Sequence, residues 1–287
     1  MKTVNIFDNT CQHHLKDYGC WMSTDKRPPQ TIKFVQRQYE FDGVTLFTDD
    51  YILSPEVDKV NSKIKIAWCL ESPAVQLNVH RNIEKVAHKF DYVFTYREDL
   101  INQFPEKFYP NSPGGALVAD DEISLYEDIK TKKCSMILSG KQFFPGHILR
   151  HQIQSIQPPD IDFFGWGSTK GYLNNKVDGL KEYKYHFVIE NVVAPYYFTE
   201  KLIDSLVTGC VPIYYGAPNI DKFFNTDGFI MFNSIDDLEK IKLDDDNFYK
   251  RKDAIKENFE LAHKYLSSDD YLCSKMEQIA RENVRIL

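Results

Sequence analysis

Lys201 is the residue of this chain that packing explains least. It follows Thr199, which reads as a helix N-cap, and so falls in the first turn of a helix with an apolar face of Leu202, Ile203, Leu206 and Val207 and with Gly209 at C′. A cation in that turn opposes the helix macrodipole. Either an anion such as a phosphate is bound there, held jointly by the free N–H groups and Lys201, or the side chain snorkels along the surface; spacing does not choose between them. Just upstream, Glu190 and Asn191 place two polar groups at the carboxyl end of an apolar strand, 186–189 (HFVI). Arg150 lies one turn inside a helix expected at 147–156, which follows the strand 134–138 (CSMIL). It is either a ligand contact or an ordinary surface arginine. Glu71 stands at the end of the alternating strand 63–70 (KIKIAWCL), before Ser72 and Pro73, where a carboxylate would face a ligand crevice. An ordinary loop carboxylate is the alternative, and Asp49, Asp91 and His80 are the other candidates for a base.

Three further clusters carry less. The run 165–171 (GWGSTKG) has neither Walker nor GxGxxG spacing and reads as a turn beside the crevice. Asp244, Asp245 and Asp246 precede a helix, where acidic residues favour the N-terminal turn over a metal. Cys11, His13, His14 and Cys20 match no standard zinc module, so no metal is expected. The six cysteines are scattered without paired spacing, which fits buried free thiols.

The elements that must position these residues are strands alternating with helices. Residues 183–219 make a strand–helix–strand unit, closed by a second buried-type strand at 211–215 and the turn 216–218. Ligands of such parallel sheets sit outside the carboxyl ends of the strands. Strands are expected at 3–7, 31–35, 44–48, 63–70 and 91–95, with an amphipathic helix at 78–90. They imply a doubly wound α/β domain over residues 1–120. The acidic stretch 120–128 reads as a linker or short helix. A second α/β domain is expected over 130–287, with strands at 134–138, 161–164, 186–189, 211–215 and 229–232 and a short helix at 234–238. Long terminal helices at 247–266 and 269–286 are expected to pack across the domain junction.

With 27% charged and 43% apolar residues the chain has the composition of a soluble globular protein, and its net charge of −7 argues against a nucleic-acid partner. Sugars stack on aromatic rings, but most of the 20 Phe and 17 Tyr are expected in the cores. No apolar run reaches the length of a membrane span, and the N-terminus MKTVNIFDNT lacks the apolar centre of a signal peptide.

The stretch 183–219 also resembles the donor-binding signature of the family 10 glycosyltransferases, the α-1,3/1,4-fucosyltransferases. It matches without a gap at Tyr183, Lys184, Phe187, Glu190, Asn191, Tyr197, Thr199, Glu200, Lys201, Gly209, Val211, Pro212 and 216–219. The resemblance is strong over 130–232 and faint before it. It implies two Rossmann-like domains facing a cleft, the GT-B architecture, and an inverting, metal-independent transferase that moves fucose from GDP-fucose to a glycan hydroxyl without a cofactor. It further implies that Arg150 grips the donor pyrophosphate and Lys201 stabilises the departing diphosphate. Asn191 and Glu200 would hydrogen-bond hydroxyls, Tyr197 would touch the phosphates and Glu71 would be the base. Glu190 would serve the donor site structurally, accepting hydrogen bonds from loop amides. Val192 replaces the usual Ser and Tyr196 the usual Asp, which keeps open a transferase using a different nucleotide sugar. A non-catalytic nucleotide- or sugar-binding protein is the third reading. A dehydrogenase is disfavoured, because no glycine-rich fingerprint follows any strand. Animal members carry a Golgi anchor and stem; their absence here gives the expectation of a cytoplasmic enzyme of bacterial or viral type.

Overall fold

The computed structural model of the chain describes residues 1–9, 27–111 and 114–283, with backbone alone at 282 and 283. The zinc candidate Cys11, His13, His14 and Cys20 lies outside the described residues. Apolar strands with short helical crossovers build two all-parallel sheets. The first contains β1 (Lys2–Phe7), β2 (Ile32–Gln36), β3 (Glu40–Thr48), β4 (Asn61–Trp68), β5 (Tyr92–Thr95) and β6 (Phe108–Pro110), in the order β2-β1-β3-β4-β5-β6. The second contains β7 (Lys132–Leu138), β8 (Ile161–Gly165), β9 (Tyr183–Ile189), β10 (Val211–Tyr215) and β11 (Ile230–Met231), in the order β11-β10-β9-β7-β8. Each is a Rossmann-like sheet. The helices are α1 (Glu56–Lys59), α2 (Leu77–Val86), α3 (Glu98–Gln103), α4 (Pro145–Ile156), α5 (Glu200–Leu206), α6 (Asp245–Tyr249), α7 (Lys252–Ala262) and α8 (Ser268–Asn283).

The chain divides into two compact units, Met1–Pro113 with Ala194–Tyr197 and Ser267–Leu287, and Gly114–Val193 with Phe198–Leu266. The main segment of the first unit ends at Pro113, and the terminal helix α8 belongs to that unit rather than to the second sheet. Leu272, Cys273, Met276 and Ile279 of α8 are buried in the core of the first sheet, with Val4, Ile32, Leu46 and Trp68. Asp270 fixes the contact by accepting the Thr31 amide at 2.7 Å. The second core gathers Met136, Leu149, Ile153, Phe187 and Ile213. The long helix expected at 247–266 is broken between α6 and α7. The break lets Phe248 enter that core while the Arg251 guanidinium donates to the carbonyl of Asp227. Cys69, Cys134, Cys210 and Cys273 are buried free thiols. Among the described residues no helix is long and apolar enough to cross a membrane.

Candidate active site

In the second sheet, β7 is flanked by β8 on one side and β9 on the other, so the winding reverses between β7 and β9. Ligands of open α/β sheets bind at such a reversal, outside the carboxyl ends of the strands. The β7–β9 ladder stops at the pair Ser135↔His186, before β7 ends at Leu138 and β9 at Ile189. A cavity of about 460 Å³ opens there, and Ser139, His147, Arg150, Asn191, Glu200 and Lys201 are among the residues lining it. Four of the residues singled out from sequence therefore meet at one place.

Arg150 rides on α4 and reaches across to β9. Its Nη2 donates to the carbonyl of Ile189 at 2.8 Å and to Asn191 Oδ1 at 2.9 Å. The approach of the two elements is close. Gly146 donates to the Asn191 carbonyl at 2.9 Å, and a Cβ on it would lie 1.7 Å from the Glu190 carbonyl oxygen. Only glycine fits at that position.

Lys201 does not trail along the surface. Its ammonium is 3.0 Å from Glu200 Oε1 and 3.8 Å from Glu190 Oε2, and only a quarter of the side chain is exposed (25%). Thr199 caps α5, its hydroxyl accepting the Lys201 amide at 3.4 Å. Glu190 is fully buried and accepts both the Thr199 amide (2.8 Å) and the Thr199 hydroxyl (2.7 Å). It supports the turn into α5, does not line the cavity, and burial pushes its carboxyl up. Burial acts the same way on Glu200, but Lys201 and Lys176 outweigh it and bring that carboxyl down to about 2.

The sequence reading missed Lys141, His147, Lys176 and His186, which also line the cavity. Lys176 is ion-paired with buried Asp204 at 2.6 Å, and Asp204 in turn accepts the Leu117 amide at 2.7 Å. Ser135 Oγ donates to the Gly179 carbonyl at 2.6 Å, so His186 Nδ1–H donates to that hydroxyl at 2.8 Å; burial pushes this imidazole down to about 3. The strand-end rule was the signal for Lys141 and His147, which follow β7. Nothing local in the sequence marks Lys176.

The remaining candidates, apart from the acidic run 244–246, belong to the other unit. Glu71 is half-buried on a loop after β4 that is held on several sides. Asp49 Oδ1 accepts the Leu70 amide at 2.9 Å and the Glu71 amide at 3.1 Å, and Tyr96 donates to the Leu70 carbonyl at 3.0 Å. His80 donates Nε2–H to the Glu71 carbonyl at 3.0 Å, which leaves its Nδ1 buried and without a partner. Burial lowers the basicity of that imidazole. Asp49 and His80 thus position the loop that carries Glu71. Asp91 lies at the amino end of β5, its carboxylate taken by the Lys65 amide at 2.8 Å. Tyr197 is buried and packs edge-on against Tyr96, ring centres 5.4 Å apart; it is not among the cavity's lining residues. Asp244 caps α6 by accepting the Asn247 amide at 2.7 Å, so that acidic run is a helix start. Among the described residues no group of three His, Cys, Asp or Glu could hold a metal.

Residues 147–285 match the model of glycosyltransferase family 10 (fucosyltransferase), C-terminal part. An α-(1,3)-fucosyltransferase of Helicobacter pylori is 34% identical over 127 residues, covering 43% of this chain and 25% of that protein. A putative fucosyltransferase-like protein of Arabidopsis thaliana is 40% identical over 68 residues, 23% of this chain and 13% of the relative. Each of these matches spans at most a quarter of the relative's length. A crystal structure of α1,3-fucosyltransferase superposes with a TM-score of 0.54 at 16% identity, covering 96% of this chain and 88% of the other. Its complex with GDP gives 0.51, covering 98% and 90%. Over residues 147–285, then, this chain matches the C-terminal part of glycosyltransferase family 10, the fucosyltransferase family, and its fold is that of the solved α1,3-fucosyltransferases.

Proposed function

We propose that the chain is an inverting, metal-independent glycosyltransferase that moves fucose from GDP-fucose to a hydroxyl of a glycan acceptor. The observation that carries this reading is the convergence of Arg150, Asn191, Glu200 and Lys201 on one cavity at the winding reversal of the second sheet. Arg150 and Lys201 supply fixed positive charge for a diphosphate, and such preorganised charge is worth most where charge develops in the transition state. Asn191 and Glu200 offer hydrogen-bonding groups for donor hydroxyls. Glu71 serves as general base: the acceptor oxygen attacks the anomeric carbon of fucose while its proton passes to the Glu71 carboxylate. The bond from that carbon to the diphosphate oxygen breaks, its electron pair leaves with GDP, and the anomeric configuration inverts. The cytoplasm is the compartment this reading expects.

The test is GDP release from GDP-fucose with and without a glycan acceptor, in the presence of EDTA, for wild type and Glu71→Gln. Wild type is expected to turn over, and the variant to keep its GDP affinity while losing about 10²–10⁴ in rate. A variant with near-normal turnover removes Glu71 from the mechanism. Wild-type protein that binds GDP without releasing it from GDP-fucose is a binding protein, and turnover of another nucleotide sugar instead reassigns the donor.

A further inference from the structure

His147 occupies the third position of α4 and lines the cavity together with Arg150 and Lys201. Its Nδ1 accepts the Phe144 amide at 3.3 Å. A neutral imidazole that accepts at Nδ1 carries its proton on Nε2. Nε2 has no hydrogen bond within the described protein, and the residue is otherwise buried (4% exposed), so its remaining polar atom has the cavity as its outlet. The charged and titratable groups around it come from every adjoining element: Lys141 from the loop after β7, Arg150 and His151 from α4, Lys201 and Glu200 from the start of α5. Burial first, then Arg150, Lys141 and Lys201, push the imidazole down to about 4. A further positive charge would be repelled here, whereas an uncharged donor adds a hydrogen bond at no such cost.

We propose that His147 is a ligand-contacting residue of this cavity, an uncharged imidazole that donates its Nε2–H to an anionic oxygen of a bound nucleoside diphosphate. The proposal rests on the donor-site reading above, and GDP separates the two. In His147→Asn the side-chain oxygen can still accept the Phe144 amide, but nothing reaches where Nε2 was. The unliganded melting temperature should stay unchanged and the affinity for GDP, measured by isothermal titration, should fall about tenfold or more, as for loss of a hydrogen bond to a charged group. Titrations in buffers of different ionisation enthalpy should give the same proton uptake for wild type and variant. An unchanged affinity overturns the proposal, and so does proton uptake that only wild type shows, because the donor would then be an imidazolium. If the variant does not fold, wild-type protein with ¹⁵N-labelled histidine decides. GDP must shift a resonance of an Nε2–H tautomer among the eight histidines, and no shift overturns the proposal. GDP binding that responds to Lys201→Ala but not to His147→Asn defeats this inference alone; no GDP binding by wild type defeats the donor-site reading with it.

Discussion

Lys201 lies between two carboxylates, and that changes what its removal should do. Helix propensity and the macrodipole alone would make Lys201→Ala neutral or slightly stabilising. Fully buried Glu190 and part-buried Glu200 reverse this sign, since taking the cation from such a largely buried cluster leaves charge uncompensated. Glu200 is held near 2, below its ordinary value of 4.5, so its contribution is present above pH 4.5 and lost as pH falls towards 2. Lys201→Ala should therefore melt earlier at pH 7, with a deficit that shrinks in acid, and its transfer rate should drop by about 10²–10³. A rate equal to wild type would mean that the lysine does not act on the leaving group. Asp49 titrates in the opposite sense. Burial raises its carboxyl from 3.8 to about 7, so the stability it confers is full below 3.8 and is lost as pH rises through 7. Its backbone is also in the left-handed region, at φ 41°. Asp49→Asn keeps an acceptor for the Leu70 and Glu71 amides. Its urea midpoint should match wild type near pH 4 and exceed it at pH 8; parallel pH curves would contradict this.

At the scale of elements, the close contact between the start of α4 and the end of β9 governs the site. Gly146→Ala would drive a methyl into the Glu190 carbonyl, separating the elements that carry Arg150 and Asn191. We expect a loss of about 1–3 kcal/mol in stability, as for overpacking, together with weakened GDP binding. Unchanged denaturation and binding would show that the contact is not tight. Local pattern made most such elements legible. β10 is a continuous apolar run with turn residues after it, and its bounds, Val211–Tyr215, are those read from sequence. The Thr199 cap of α5 was likewise readable from residue type. β6 was not, because Pro110 and the turn residues after it mask a three-residue strand that pairs with β5. α3 is a short helix with Arg97 in place of a capping residue, so its acidic first turn, Glu98 and Asp99, was its one start signal. Terminal helix α8 shows an amphipathic pattern, but no pattern states which sheet its apolar face will meet. The same limit hid Lys176, whose place in the cavity depends on the pairing with Asp204 rather than on its neighbours in sequence.

At the scale of the whole molecule, a chain of net charge −7 concentrates Lys141, Arg150, Lys176 and Lys201 around one cavity of its second unit. Attraction between this cavity and a diphosphate should weaken as salt rises, whereas contacts to sugar and base should change little. The cavity is proposed as a nucleoside-diphosphate site that needs no metal. Thermal denaturation in EDTA, with GDP or UDP added, tests it most directly. GDP at 100 times its dissociation constant should stabilise the wild-type protein by about 2.7 kcal/mol, UDP should do much less, and Lys201→Ala should lose most of the effect. Stabilisation by UDP but not GDP, an absolute need for a divalent ion, or a full GDP shift in Lys201→Ala would contradict it.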